Sequence, residues 1–251
     1  MVETTFYTLR QFGLIGLHYA APTETPSVYA ASIPLSLMLW SLAGVAVFAY
    51  LVGSFLPATM LAKYHDRDAL CASGTPDAGI LSLYRVHGKR VAAVAWGLEV
   101  LQGLFIYTAG MLTLGAAGGY VGALFCAIGQ VFPLYTHFRG AKSIVPIATL
   151  VLCLSPLVFA VLIGILAVIA LWTKYLSLGL LISILLFPLL SARMTTPAAF
   201  QGICTVLIAL LLVFQYRTNI ARLLSGKEPK FSFPKKSKPV SKEPPAQNGG
   251  R

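Results

Sequence analysis

Apolar runs long enough to cross a membrane recur along this chain, and they constrain its fold more than any other feature. A helix needs about 20 mainly apolar residues to span the ~30 Å hydrocarbon layer of a bilayer. The sequence therefore predicts an all-α polytopic membrane protein with about seven transmembrane helices. The runs cover residues 33–62, 91–114, 118–135, 143–157, 158–172, 176–190 and 196–215.

The positions of the positive charges orient these runs. If the runs are alternating crossings, all of the 19 Lys and Arg residues except Arg10 and Arg193 fall on one side. Cytoplasmic loops are the ones enriched in Lys and Arg. The pattern therefore predicts that the N-terminus lies outside the cell and the C-terminus inside, with residues 63–90 as the longest polar loop before the tail.

This order requires a break between the fourth and fifth runs, where only Ser155 and Pro156 separate them. A single long kinked helix is the alternative, and it would remove one crossing and move Lys174 to the other side. The charge pattern favours the break, and proline commonly interrupts a helix.

Composition agrees with a membrane protein. Only 11% of the residues are charged and the mean hydropathy is +0.78, whereas soluble domains carry about 25% charged residues. Cys126, Cys153 and Cys204 lie inside apolar runs and Cys71 in the predicted cytoplasmic loop, so a disulfide framework is not expected. Most of the net charge of +11 lies in the tail and in loops beside the bilayer. Attraction of these segments to anionic membrane lipid is therefore a simpler interpretation than nucleic-acid binding.

The chain divides into three parts. Residues 1–31 form a polar-to-mixed lead in which residues 6–19 could make an interfacial helix. Residues 32–230 form the transmembrane domain. Residues 231–251 are rich in Pro, Lys and Ser, have little to bury, and are predicted to be a disordered basic cytoplasmic tail.

Two loop segments could bind a phosphate. Gly74, Thr75 and Gly79 form a Gly/Pro-rich turn whose backbone N–H groups could make an anion-binding nest, although an ordinary loop has the same composition. Arg139 and Lys142 immediately precede a predicted helix whose N-terminus favours an anion, although charges flanking a membrane span explain them equally well.

A third segment, residues 216–228, follows the last run and reads as a short amphipathic helix with Asn219, Arg222 and Glu228 as polar groups. A membrane-surface helix would have the same pattern. Within the runs, glycines such as Gly110 and Gly118 are typical of close helix packing.

Glu99 and Gln102 are polar residues inside an apolar run, on one face of the predicted helix. An ionisable side chain there indicates a pairing or a functional role, and pairing of Glu99 with Arg85, Lys142 or Arg222 is favoured over proton chemistry. The spacing of the histidines does not resemble a metal site. They are His18, His65, His87 and His137.

Taken in order, these segments resemble the bacterial membrane-integral acyl-phosphate:glycerol-3-phosphate acyltransferase family, of which the chain would be a divergent member. Residues 75–85 match its first motif in length and agree at Gly79 and Arg85. Thr75 stands where the family has Ser, and Asp77 and Ser82 stand where it has Asn.

The second family motif is matched by residues 129–143, with Gln130 in place of His and with Ala141 and Ser143 in place of Gly. Lys174 and Ser177 match a later turn, residues 219–228 match the closing motif, and Tyr216 stands where His is usual. Residues 50–54 and 98–103 also look like the family. The second motif agrees at Gly129, Phe132, Pro133, Phe138, Gly140 and Lys142.

The resemblance implies a reaction. The family transfers a fatty acyl group from acyl-phosphate to the first hydroxyl of glycerol 3-phosphate, giving lysophosphatidic acid, at the cytoplasmic face of the bacterial inner membrane. The donor is already activated, so the resemblance implies no metal, cofactor or protein nucleophile, and the protein contributes mainly positioning and charge stabilisation.

The resemblance also assigns roles. Arg85 and Lys142 would hold phosphate, Ser177 and Asn219 would orient glycerol 3-phosphate, and Glu228 would fix Arg222 or the acceptor. Thr75, Arg85, Lys142 and Asn219 are the candidate catalytic residues. The candidate substrate-binding residues are Gly74, Asp77, Gly79, Ser82, Arg139, Gly140, Ser177, Arg222 and Glu228.

The departures from the family pattern leave a second hypothesis open. Cβ atoms at Ala141 and Ser143 stand where the backbone could need to approach a phosphate, and Asp77 places an acid in a proposed anion site. A catalytically impaired homologue that binds lipid or a protein partner would show the same changes. A small transporter is disfavoured, because the charges gather at one membrane edge.

Overall fold

The computed structural model describes residues 13–14, 34–65, 80–136, 144–194 and 199–224, without the side chains of residues 63, 65, 80–82, 85–87, 222 and 224. Every element within these ranges is helical, which confirms the all-α prediction. The elements are α1 (Leu35–Ser54), α2 (Pro57–His65), α3 (Ile80–Val131), a 3-10 turn (Leu134–Thr136), α4 (Val145–Leu154), α5 (Pro156–Thr173), α6 (Leu176–Met194), α7 (Ala199–Gln215) and α8 (Arg217–Leu224).

Four segments of the described chain are long and apolar enough to cross a membrane: Leu35–Ala62, Gly88–Thr136, Pro156–Thr173 and Leu176–Met194. Helices α4 and α7 are apolar but shorter. Only 6% of the apolar stretch in α5 is buried within the protein. Such an apolar surface is stable against lipid and not against water, so this is a helical membrane protein.

Helix α3 is interrupted twice, at Gly88 (φ 84°) and at Leu114–Gly115, where Gly115 has φ 61°. The second interruption lies where the sequence predicts a turn between two crossings. A Cβ added at Gly110 would lie 2.5 Å from the carbonyl oxygen of Gly118. The two arms of α3, residues 89–113 and 116–131, therefore pack in near-backbone contact, as predicted for these glycines.

Proline sets two further helix boundaries. The backbone leaves helical geometry at Ser155 (φ −150°, ψ 86°) and α5 begins at Pro156, which confirms the predicted break. The 33–62 run contains a break that the sequence reading did not include, because Phe55 is extended (φ −73°, ψ 118°) and α2 starts at Pro57. Proline has no N–H for the helix ladder and disfavours helical geometry in the residue before it.

The predicted polar loop of residues 63–90 is shorter than expected. Helix α2 continues to His65 and α3 begins at Ile80, so Ser82 and Arg85 lie on a helix instead of in a loop. The buried side chain of Leu83 explains this, because it packs with Ala58, Ala62 and Ala95 between α2 and α3.

The arms of α3 organise the bundle. They pack against α1, α4 and α7, while α6 packs against α5 and α7. Of the predicted lead, the structure describes the helical pair Gly13 and Leu14, and Gly13 is buried where its Cβ position would be 2.5 Å from the Thr113 carbonyl oxygen. The rest of the lead and the tail of residues 231–251 lie outside the described residues. The central core includes Ile106, Cys126, Leu150, Val158, Ile184 and Ile208.

Candidate functional site

One predicted substrate-binding residue and one predicted catalytic residue meet at one end of the bundle. Ser177 lies in the first turn of α6 and Asn219 in the first turn of α8. The Asn219 side-chain Nδ2 is 3.5 Å from the Ser177 Oγ, at the long limit of a hydrogen bond. Both side chains are half-buried. The turn around Tyr216 makes this contact possible, because the Asn219 backbone N–H donates to the Tyr216 carbonyl at 2.9 Å.

The segment that follows α3 lies at the same end. The Tyr50 hydroxyl donates to the Phe132 carbonyl oxygen at 3.1 Å. The Phe132 ring lies 6.4 Å from the Phe214 ring, and the Arg217 guanidinium carbon lies 4.4 Å from the centre of the Phe214 ring, a cation–π contact. We call the region of these contacts and of the Ser177–Asn219 pair the site end. It joins α1, the start of the second motif, α6, α7 and α8.

Two buried glutamines bind the last turn of α1. The carbonyl groups at a helix C-terminus have no partner within the helix, and leaving them unbonded in apolar surroundings is costly. Gln102 Nε2 donates to the Val52 carbonyl at 2.5 Å and to the Phe55 carbonyl at 2.8 Å. Gln130 Nε2 donates to the Gly53 carbonyl at 3.0 Å. These bonds compensate for the break before Pro57.

Glycines allow α1 and the second arm of α3 to approach. A Cβ added at Gly129 would lie 2.8 Å from the Tyr50 carbonyl oxygen and from the Gly53 carbonyl carbon. A Cβ added at Gly53 would lie 2.8 Å from the Cα of Cys126. Any side chain at either position would push the two helices apart, so the approach requires glycine at both.

A groove open to the membrane lies between the second arm of α3 and α7. Its volume is about 330 Å³, and one of its walls ends at Phe214, next to Arg217. An aliphatic chain placed there would contact only apolar side chains. The lining residues are Leu124, Ile128, Leu207, Leu210, Leu211 and Phe214.

The side chains of the other eleven predicted site residues lie outside the part of the chain that the structure describes. Ser82 and Arg85 lie on the first turns of α3 and Arg222 on α8, but their side chains are not described. The partners predicted for Glu99, which is 1% exposed, are among these undescribed groups. The residues outside the described ranges are Gly74, Thr75, Asp77, Gly79, Arg139, Gly140, Lys142 and Glu228.

The described part of the site offers uncharged hydrogen-bonding groups and exposed cations. A hydroxyl and a carboxamide each donate and accept, so Ser177 and Asn219 can orient a polyol or a phosphate ester. Arg217 is exposed two residues before Asn219 and can attract an anion. The described residues include no group of three or more His, Cys, Asp or Glu side chains arranged to hold a metal ion.

The sequence reading did not anticipate the contacts of Tyr50, Gln102 and Gln130. It noted the segments around them and assigned no partner. One signal was present: a glutamine inside an apolar run needs a buried partner. Which carbonyl it would bind depends on the break in α1.

A family model described as glycerol-3-phosphate acyltransferase matches residues 43–226. A protein of that name from Thermoanaerobacter pseudethanolicus is 32% identical over 185 residues, which are 74% of this chain and 93% of the relative. Another from Syntrophomonas wolfei is 30% identical over 190 residues, 76% of this chain and 97% of the relative.

Two crystal structures have the same fold. Both are of PlsY, an integral membrane glycerol 3-phosphate acyltransferase. The glycerol 3-phosphate form gives a TM-score of 0.68 at 24% identity, and the lysophosphatidic acid form gives 0.67 at 25% identity. Each comparison covers 76% of this chain and 96% of the other.

Proposed function

This chain belongs to the glycerol-3-phosphate acyltransferase family, and we propose that it transfers an acyl group from acyl-phosphate to the 1-hydroxyl of sn-glycerol 3-phosphate. The products are lysophosphatidic acid, a precursor of phospholipids, and inorganic phosphate. Family membership does not favour the impaired-homologue or transporter hypotheses. The observation that carries the proposal is the contact between Asn219 and Ser177, because it unites two residues of separate family motifs at one end of the bundle.

The reaction exchanges one acyl–oxygen bond for another and moves one proton. The acceptor hydroxyl oxygen attacks the acyl carbonyl carbon, the bond from that carbon to the phosphate oxygen breaks, and the phosphate leaves with the electron pair and takes up the proton that the hydroxyl loses. Ser177 and Asn219 orient the glycerol backbone so that its 1-hydroxyl faces the carbonyl. Arg85 and Lys142 neutralise the phosphates of the donor and the acceptor. Arg85 acts as a bidentate hydrogen-bond donor and Lys142 as a point charge.

The remaining candidates support these groups. The turn that includes Gly74, Thr75, Asp77 and Gly79 supplies backbone donors to one phosphate. Arg139 adds positive charge beside Lys142, and Glu228 holds Arg222 or the acceptor. We also propose Thr75 as a catalytic residue, and Ser82 and Gly140 as substrate-binding residues.

The groove between α3 and α7 gives the donor's tail a place. Its lining is apolar and it ends at Phe214 and Arg217. A fatty chain lying there brings its activated carboxyl end to the site end, beside the exposed guanidinium of Arg217, which precedes Asn219 by two residues. Because the groove opens to lipid, the tail moves from one apolar environment to another. Its main effect is to hold the activated carboxyl group at the site end while the polar acceptor arrives from solution.

We place the site end at the cytoplasmic face of the bacterial inner membrane. The proposal has seven crossings, the N-terminus outside, residues 32–230 as the catalytic domain, and residues 231–251 as a basic cytoplasmic tail. All Lys and Arg residues except Arg10 and Arg193 then lie on the cytoplasmic side, which supports this orientation. Both polar substrates are then available from the cytoplasm.

A product assay tests the function. Purified protein given acyl-phosphate and labelled glycerol 3-phosphate should form labelled lysophosphatidic acid, and Arg85→Ala or Lys142→Ala should abolish the product. Lys89→Ala is the matched control, because Lys89 is an exposed cation on α3 with no role in the proposed site. Loss of product in that control as well would argue against specific phosphate contacts.

A further inference from the structure

Gln130 stands where the resemblance expects His, and its environment explains what this position does. The side chain is fully buried, with 0% of its surface exposed. Its carboxamide N–H reaches the Gly53 carbonyl at 3.0 Å. The group is therefore held inside the protein against the end of α1, and it is not at the surface of the groove.

The bond joins α3 to the end of α1, where the two helices also approach closely. Gly129, the neighbouring residue, is in near-backbone contact with Gly53 and Tyr50. Two residues further, the Phe132 carbonyl accepts from the Tyr50 hydroxyl at 3.1 Å. Residues 129–132 are thus attached to the last turn of α1 by a backbone contact and two hydrogen bonds.

The attachment continues to the substrate-orienting residues. The Phe132 ring packs at 6.4 Å from Phe214, and Arg217 and Asn219 follow Phe214 by three and five residues, across the turn at Tyr216. A shift of residues 129–132 relative to α1 would move the surface on which Phe214 rests. It would then change where Asn219 lies relative to Ser177.

We infer that Gln130 is a positioning residue, whose N–H donor fixes residues 129–132 to the Gly53 carbonyl and so sets the place of Phe214 and Asn219. This inference rests on the proposed function. An imidazole N–H can donate to the same carbonyl, so replacing His by Gln keeps the donor. The departure from the family pattern at this position is therefore compatible with an active enzyme.

The substitution Gln130→Met removes the donor while keeping an unbranched side chain of similar length, and Gln130→His restores a donor. Loss of the donor leaves the Gly53 carbonyl without this bond, which we expect to lower kcat/KM for glycerol 3-phosphate about tenfold. Amide hydrogen exchange should become faster at residues 132–136 and 215–219, with the rest of the bundle unchanged. Gln130→His keeps a donor, so both its kcat/KM and its exchange rates should be near those of the wild type.

Thr205→Val is the matched control. Thr205 is also buried and polar, but its hydroxyl donates to the Gly202 carbonyl of its own helix at 2.8 Å. It joins no two elements through this bond, so the variant should retain wild-type kinetics and local exchange. Comparing Thr205→Val with Gln130→Met distinguishes the loss of a hydrogen bond between two helices from the loss of any buried polar group.

The outcomes are distinct. Wild-type kinetics in Gln130→Met, or faster exchange without a kinetic change, would overturn the positioning role. A Gln130→His protein as impaired as Gln130→Met would overturn the donor argument. If Gln130→Met does not fold, Gln130→His decides alone, because it must then match wild type. Hydrogen exchange needs no turnover, so it tests the bond between Gln130 and Gly53 even if the wild-type protein forms no lysophosphatidic acid. Absence of that product would count against the proposed function and not against the bond.

Discussion

The side-chain amide of Asn219 lies 3.5 Å from the hydroxyl oxygen of Ser177, although 42 positions separate the two residues in the chain. Ser177 belongs to the start of α6 and Asn219 to the short helix after α7. Their meeting depends on the turn at Tyr216, which redirects the chain as α7 ends. A shared substrate is the functional reason that we propose for this arrangement.

Ser177→Ala and Asn219→Ala should each lower kcat/KM by about 10- to 100-fold, because each removes a group that orients the acceptor. The double variant should lose less than the product of the two effects, since contacting residues are coupled by about 0.5–3 kcal/mol. Steady-state kinetics of the four proteins measures this. Thr218→Ala, an exposed neighbour on α8, is the control and should match wild type.

Gly129→Ala should destabilise the protein by about 1–3 kcal/mol, the usual effect of forcing an extra carbon into a packed contact. The added Cβ would stand 2.8 Å from backbone atoms of α1. Thermal unfolding in one detergent measures the change. Gly44→Ala on α1 is the control: no described atom lies within 4 Å of its Cβ position. Equal unfolding temperatures for the two variants would show that the close approach is absent.

Leu210→Trp should shift donor preference toward shorter acyl-phosphates, because the indole fills part of the groove lined by Leu210. A long chain that no longer fits the groove holds its acyl-phosphate end less precisely at the site end, so kcat/KM should fall more for the long donor than for the short one. Competition between a long and a short acyl-phosphate measures the ratio. Ile203→Trp places the same ring on an exposed surface of α7 outside the groove lining, so an equal shift there would contradict the assignment of the groove to the acyl tail.

A reporter fused after Arg251 should be active in the cytoplasm, and one fused after Arg193 should report the outside. The asymmetry of Lys and Arg predicts this result. Fusions that respond to compartment, compared in the same cells, measure it. A cytoplasmic signal at both positions would remove a crossing from the proposed topology.

The sequence predicted the helical class well because its physical basis is local. Pro156 and Gly115 interrupt helices where they stand, and apolar runs show their length directly. The break at Phe55 was missed even though Pro57 was visible, because the run reads as apolar on both sides. Hydropathy measures how favourably a segment is transferred into lipid. It does not show that Pro57 lacks the backbone N–H that a continuous helix would need.

The site was predicted less completely, since its contacts join distant parts of the chain. The resemblance paired Ser177 and Asn219 in function, and the structure places them together. The bond from Gln130 to Gly53 spans 77 positions, and it could form only because glycines let two helices approach. A polar residue in an apolar run indicates that a partner exists, whereas the identity of the partner comes from packing.

Measuring both products together tests the proposed acyl transfer most directly. Purified protein is given acyl-phosphate and glycerol 3-phosphate, and lysophosphatidic acid and inorganic phosphate are quantified over time. We predict that they appear in equal amounts, and that neither forms in Arg85→Ala. If no lysophosphatidic acid appears where a relative from the same family produces it, or if it forms without release of phosphate, the proposed reaction is contradicted.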